Sequence, residues 1–502
     1  MRKGGTLLFG GLAAVIGYLA FVEFTSGIIQ GYYTPMMTDI ARHLGVGDAD
    51  VNWLEGAQLM LSALVVPVLS KLGDLIGHRR ILLWSTAVTF FASVVIAIAP
   101  SFWLFLIAWA IQGFYVVWLP LEIALVHIRS QHLIGSGKSI PGGSAGLTRR
   151  AAGVLVGALE AGAISGALVG GALVDAFPLQ LVLALPAGVI GICWVVIAVG
   201  VKETPGASLK NWRASEFDFT GLAIVTGALI LVLGSLFVLR ASGIDLSAGL
   251  FWVSVGMLAA GAAGLWLFVR VELRHPDPVI DVRMFANPAL WPIFATAGLF
   301  GVSVLGAQAP LSTFARTDPA VHGYGLGTTG FQTSLIIGLY LIAMITGALL
   351  VPLISRLTTP RWALLLACVA VGVGFGMFLP LHHTFGQLIT NMLIVGLGSG
   401  ALVASLPAAA AAAAPSAQTG VATGLTNSVK TVGGAAASCI FGLALSSFAA
   451  GAVPGSTAGS FEGYLTVWAV CSATGFAAAV LMLFVPRHAF GASVVVEAPA
   501  IH

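Results

Sequence analysis

Four glutamates, Glu23, Glu55, Glu122 and Glu160, stand inside long apolar runs of the sequence. If those runs cross a bilayer, each ionised side chain at a helix centre costs about 2.5–3.5 kcal/mol, so it must face a cavity or a partner and marks function by default. A carboxylate kept from water favours its protonated form, and can then load and release a proton. Glu23, in AFVEFTSG, has no basic neighbour within a few turns: Arg2 and Arg42 are each about 20 residues away. Glu122 follows Pro120 in another apolar run. Glu160 precedes a run of glycines, and a local pairing with Arg149 or Arg150 is its plain structural alternative. Glu55 lies near a run end, where snorkelling to the interface is the simpler expectation.

The elements that must carry these residues are membrane helices. Of 502 residues, 58% are hydrophobic and 8% are charged, with a mean hydropathy of +1.01. A soluble domain carries about a quarter charged residues, so lipid must solvate this chain. A net charge of +3 excludes a nucleic-acid binder built on basic surface. Cys193, Cys368, Cys439 and Cys471 are scattered singly, without metal-ligand spacing, and read as small apolar fillers. The start, MRKGGTLLFGG, reads as an uncleaved first span.

With a window of about 20 residues, spans fall at 7–30, 53–72, 80–99, 103–127, 152–174, 180–201, 218–240, 249–271, 289–313, 333–355, 361–380, 386–409, 421–449 and 464–486. An even number of spans puts both termini on one side. Of 22 lysines and arginines, Arg42, Arg240 and Arg316 fall in outer segments and Lys430 falls inside a span; the other eighteen collect in segments on the side of the N-terminus. That bias predicts cytoplasmic termini. Lys430 reads as a snorkelling, structural residue near the cytoplasmic start of its span. The stretch GSGKS at 135–139 lacks the first glycine of a phosphate loop, since His132 stands there, and no strand–helix unit surrounds it. No nucleotide, cofactor or metal is expected, and no clustered metal set or nucleophile–base pair indicates an enzyme.

The stretch SKLGDLIGHRRILL, residues 70–83, concentrates charge in a chain nearly devoid of it. Gly73 and Gly77 allow a tight turn, and Asp74 can cap a helix or pair with an arginine. Its spacing resembles the signature loop of the major facilitator superfamily, G-x-L-x-D-R-x-G-R-R-x-x-L. Leu72, Asp74, Gly77, Arg79, Arg80 and Leu83 are in register; Ser70, Leu75 and His78 depart from it. Further stretches resemble the fourteen-helix drug/proton antiporter branch. They are Asn52 with Trp53, IQGFYVVWLP (111–120), GAISGALVGGALVD (162–175), FDFTG (217–221), VELRHPDPVIDVRMF (271–285) and TGLTNSVKTVGGAAAS (423–438).

The resemblance implies an all-α integral membrane fold with two six-helix bundles and two inserted helices. The implied boundaries are 1–201 for the N-terminal bundle, 202–288 for the insertion with its loops, and 289–502 for the C-terminal bundle and tail. It implies that Asp74, Gly77, Arg79 and Arg80 form a latch in which Asp74 pairs across to other helix ends. It also implies that Glu23 and Glu122 face a central cavity on the first and fourth helices, and that Glu23, Glu122 and Glu160 serve protons or substrate. Gly162, Gly166 and Gly170, spaced by four and continued by Gly171, form a helix-packing face. Candidate cavity residues are Gln112, Tyr33, Trp118 and Gln308, followed by Gln30, Tyr32, Gln332, Tyr340 and Asn391. Two departures bear on coupling: Trp109 replaces the branch's fourth-helix arginine, and Ala167 replaces a proline, so the fifth helix should bend less. The implied activity is proton-coupled export of amphipathic or cationic small molecules by a monomer in the inner membrane. A single-metabolite transporter without such coupling, and a receptor or assembly protein reusing the fold, stand as alternatives.

Overall fold

The structure, a computed structural model, describes residues 3–135, 143–203, 218–242, 246–275, 280–414, 419–447 and 457–485. In a bilayer each backbone N–H and C=O must be satisfied within its own segment or by protein neighbours. Accordingly the described residues form helices and no strands. In chain order these are α1 (Lys3–Tyr32), α2 (Met37–Leu44), α3 (Val51–Ile76), α4 (His78–Ile98), α5 (Phe102–Gln112), α6 (Trp118–Gly135), α7 (Gly143–Ala176), α8 (Leu179–Gly200), α9 (Phe219–Ser242), α10 (Gly249–Glu272), α11 (Trp291–Val304), α12 (Gln308–Arg316), α13 (Pro319–His322), α14 (Gly330–Leu357), α15 (Pro360–Met377), α16 (Phe385–Ala413), α17 (Thr419–Ser447) and α18 (Phe461–Met482). They make 14 spans long and apolar enough to cross a membrane. Each overlaps one expected from hydropathy. The loop around GSGKS lies outside the described residues from position 136, as do Lys210, Arg213 and Arg487.

Three spans are broken, each beside a proline. The first is α1, a 3-10 turn at Thr34–Met36 holding Pro35, then α2. The fourth is α5, a 3-10 turn at Gly113–Val117, then α6. Pro120 has no N–H for the carbonyl four residues back and crowds it, which tightens the preceding turn. The ninth is α11 and α12, separated at 305–307, with Pro310 acting in the same way. By contrast α7, with Ala167 fully buried, runs unbroken over 34 residues.

Two six-helix bundles, each with its own buried apolar cluster, make up the body. One cluster is drawn from 15–201 together with Ala309; the other is drawn from 284–485 together with Ala49. The first bundle holds the α1–α7 and α4–α8 pairs, the second the α14–α16, α11–α17 and α15–α18 pairs. They meet along two seams, α7 on α14 and α3 on α17. Close approach depends on glycine. A Cβ on Gly162, Gly166 or Gly170 would overlap the backbone of α1 or its following residues, at Phe24, Ile28 and Tyr32 respectively, so the glycine ladder lies on α1. Gly171 instead meets Gly330 and Ser334 across the α7–α14 seam. The inserted pair, α9 and α10, leans on the α3–α17 seam. There Met60, Val225, Leu229, Phe268 and Ala435 form a third buried cluster, and the Phe237 ring lies 5.1 Å from Trp53 and 4.9 Å from Trp103. All four cysteines are buried and free.

Candidate functional site: a central cavity between the bundles

The broken spans supply the polar wall of a cavity at the middle of the molecule. Its larger lobe holds about 1070 Å3 of empty space and its smaller about 440 Å3, part of each open to solvent. Gln30, Thr34, Leu305 and Gln308 line both lobes and join them. Gln30 and Thr34 flank the break in the first span, Gln112 ends α5, and Gln308 opens α12. Broken backbone at membrane depth is tolerated where it lines a cavity, and transporters build binding sites this way.

The smaller lobe is polar and aromatic. Gln112 Nε2 donates to Tyr33 Oη at 3.0 Å and to Ser93 Oγ at 2.8 Å, while Gln58 Nε2 donates to the Trp109 carbonyl at 3.1 Å. Trp109 packs parallel to Phe105 at 5.7 Å and edge-on to Tyr33 at 4.8 Å. An aromatic stack therefore fills the position where the branch has an arginine. Glu55 also lines this lobe, with Tyr115 and Gln58. The interface placement expected for Glu55 is thus corrected: its side chain turns inward, because the face of α3 that carries it looks across the cavity.

The larger lobe is walled mainly by apolar side chains, among them Phe300, Phe375, Met344 and Ile337, with Tyr340. Two opposite charges interrupt that wall. Glu160 comes from α7 in the first bundle and Lys430 from α17 in the second. Each acts on the other across the lobe, and neither makes a hydrogen bond or ion pair with a described residue. Lys430 therefore does not snorkel to the interface. Glu160 is not paired with Arg150, which is exposed.

Glu23 and Glu122 lie elsewhere. Both are fully buried within the first bundle, neither lines the cavity, and none of their four carboxylate oxygens has a hydrogen-bond partner. The charge of Glu23 acts on Glu122. Of the candidate cavity residues, Gln112, Tyr33, Gln308, Gln30 and Tyr340 line it. Trp118 does not: it is fully buried in the first bundle against Tyr115. Tyr32 donates to the Val182 carbonyl and Asn391 to the Leu381 carbonyl, and Gln332 serves a capping box with Thr329 at the start of α14.

The described contacts of Asp74, Arg79 and Arg80 in the charged loop fall on the loop itself, on the end of α8 and on Glu203 just after it. Gly77 has φ +114°, and a Cβ there would meet the Glu203 carboxylate. That carboxylate accepts the N–H groups of Arg79 and Arg80, both at 3.2 Å, and so caps the positive start of α4. The Arg79 guanidinium donates to the carbonyls of Ala198 and Val201 at the end of α8. Asp74 is exposed and pairs with His78 at 3.1 Å, four residues on, rather than reaching across to another helix end.

At the opposite end the bundles are tied together. Arg316 holds Asp39 at 2.6 Å and lies 3.7 Å from Asp175. Asp175 accepts the N–H groups of Gly330 and Phe331, both at 2.8 Å, capping α14 from the other bundle. Ser312 Oγ donates to the Thr34 carbonyl at 2.5 Å. The Asp48 N–H donates to the Thr457 carbonyl at 2.6 Å, and burial pushes the Asp48 carboxyl up to about 7. Arg240, at the end of α9, pairs with Asp50. The only sequence signal for this cluster was that Arg42, Arg240 and Arg316 stood apart from the other basic residues.

Among the described residues no group of His, Cys, Asp and Glu could hold a metal ion. Comparison with known proteins agrees with the geometry of a cavity between two bundles. The family model for the Major Facilitator Superfamily matches residues 19–132 and 147–438. The chain is similar to the drug efflux pump JefA of Mycobacterium tuberculosis, 23% identical over 84% of this chain and 78% of that one. It is also similar to the cephamycin export protein CmcT of Amycolatopsis lactamdurans, 26% identical over 84% and 81%. Among solved structures it shares the fold of a mutant of the nucleoside transporter NupG, with TM-score 0.63, 13% identity and coverage of 93% and 99%. It likewise shares the fold of a peptide transporter POT, with TM-score 0.64, 16% identity and coverage of 96% and 95%. With its fourteen spans and a cavity walled by broken helices, the chain belongs to the Major Facilitator Superfamily and is a multi-pass membrane transporter.

Proposed function

We propose that the protein exports amphipathic small molecules, cations among them, in exchange for protons, and that Glu23 and Glu122 hold the coupling proton. The observation that carries this reading is the fully buried, unpartnered state of both carboxylates beside a cavity between two bundles. Two ionised carboxylates that act on one another without a counter-ion are strongly disfavoured in a dry interior. At least one proton therefore resides on the pair, and the pair titrates as a unit. Glu55 and Glu160 give the cavity a negative lining suited to a cationic group. Export of drugs and antibiotics by the relatives supports the same substrate class.

In this proposal the protein is a monomer in the cell membrane with both termini cytoplasmic, as the basic-residue bias supports. The bundles span 1–201 and 289–502, the insertion occupies 202–288, and the loop around Asp74, Gly77, Arg79 and Arg80 times the rocking of one bundle on the other.

Uptake of a panel of amphipathic dyes into inverted vesicles, with and without a pH gradient, tests the reading. Glu23→Gln and Glu122→Gln should each abolish the part of uptake driven by the gradient. Full gradient-driven uptake in both variants would show that the pair is not the proton site. Uptake that the pH gradient leaves unchanged even in the wild type would instead favour transport without proton coupling, to which the neutral Trp109 at the arginine position points.

A further inference from the structure

The carboxylates suit a basic group on the substrate and leave Lys430 without a use. Lys430 stands nine residues inside the span that starts at Val421, about 13 Å of helix, deeper than a lysine stem reaches from the interface. Its backbone is held in place. Gly301 touches the Lys430 carbonyl, and Gly298 and Gly433 let α11 and α17 meet backbone to backbone. Such packing fixes the rotation of α17, and that rotation presents the lysine to the larger lobe. Glu160 faces it from the other bundle without forming an ion pair. Between and around them the wall is apolar, with Phe300, Phe375 and Ile337. A chamber with an apolar body, a cation on one wall and a carboxylate on the other matches a ligand of the same pattern.

We propose that the cavity selects amphipathic zwitterions, with Lys430 as the anchor for the acidic group of the substrate and Glu160 opposite its basic group. The proposal rests on the transporter reading of the same cavity. While the cavity is empty, Glu160 is the opposite charge that acts on Lys430 across the lobe. A substrate carboxylate takes that place and leaves Glu160 to the basic group of the substrate. No covalent step is involved.

Rhodamine B and its methyl ester test this, because they share one aromatic cation and differ only in a free carboxylate. Equilibrium binding to the purified full chain in lipid nanodiscs is measured by dye fluorescence anisotropy, alongside dye uptake into inverted vesicles. The wild type should bind rhodamine B more tightly than the ester. Lys430→Gln should weaken rhodamine B about tenfold and leave the ester within about twofold, while Lys430→Arg keeps most of the affinity. Glu160→Gln should weaken the ester at least as much as rhodamine B. Equal loss of both dyes in Lys430→Gln would assign the lysine to packing, and no loss would remove it from the site; either overturns the proposal. So would a wild type that binds the ester as tightly as rhodamine B. If the binding differences hold but no dye crosses the membrane in any vesicle, the transporter reading fails while the anchor stands.

Discussion

The two ends of the molecule use charge in opposite ways. At the Arg316 end, acids of the first bundle meet donors of the second, Asp39 and Asp175 with Arg316 and Asp175 with the amides of Gly330 and Phe331, and the Asp48 N–H donates to the Thr457 carbonyl. At the Arg79 end, the contacts of Asp74, Arg79 and Arg80 all stay within residues 74–203. Among the described residues, the Arg316 contacts fasten one bundle to the other, while those of Asp74, Arg79 and Arg80 brace α3 and α4 against the end of α8 and Glu203. A rocking transporter needs this asymmetry in each of its end states, and here the fastened end is that of Arg316.

The largest break in the comparison should come from Arg316→Gln. It removes the cation that Asp39 and Asp175 share and leaves Asp39 only the exposed Arg42 at 3.8 Å, a loss of about 3 kcal/mol for a largely buried cluster. A cysteine placed at Gln308 should then become accessible to a membrane-impermeant maleimide added from the Arg316 end. A lower thermal midpoint with no gain in labelling would show that Arg316 stabilises the fold without fastening the bundles.

Asp48→Asn sharpens the comparison with a smaller and pH-dependent effect. The folded Asp48 holds its proton up to about 7, against 3.8 for a free aspartate. The protonated form is favoured by folding, so stability is greatest below about pH 4, falls as pH rises to about 7 and is level above that. The amide cannot ionise, so the variant should be more stable than the wild type at pH 8 and no different near pH 4. Arg42 and Asp39 are the charges that act on Asp48, and both remain in the variant. Thermal midpoints measured from pH 4 to 8 check this; parallel curves for variant and wild type would contradict it.

The smallest effect belongs to Asp74→Asn. Its pair with His78 is local and its own side chain is exposed, so the pair is worth about 1 kcal/mol or less. Dye uptake should slow by a few-fold while dye affinity and thermal midpoint hold. Lost affinity with normal uptake kinetics would move Asp74 from timing to binding.

The fourteen spans were legible because crossing lipid demands long apolar runs, and depth along each run can be counted. Direction around the helix was not. Lys430 and Glu55 were sent to the interface by their distance from a run end, yet both turn into the cavity. Their helices are apolar on nearly all sides, so little contrast marks which face meets lipid and which meets protein. The same ambiguity put Glu23 and Glu122 in the cavity, where the structure has them inside the first bundle. The helix breaks were within reach: Pro120 and Pro310 stand inside apolar runs and Pro35 just beyond one, with Gln112, Gln308 and Gln30 within eight residues of them. The fastener was not, since Asp39, Asp175 and Arg316 lie far apart in the chain and only the meeting of two bundles joins them.

The inserted helices also settle how the line between the bundles meets the lipid. Two bundles side by side present two such lines to the bilayer. Here α9 and α10 are laid along one, held by Phe237 between Trp53 and Trp103 and by Arg240 on Asp50. Along the other, at α7 and α14, no helix outside the two bundles packs among the described residues. A greasy molecule already dissolved in the membrane therefore meets two extra helices on one flank and the bare seam of α7 against α14 on the other.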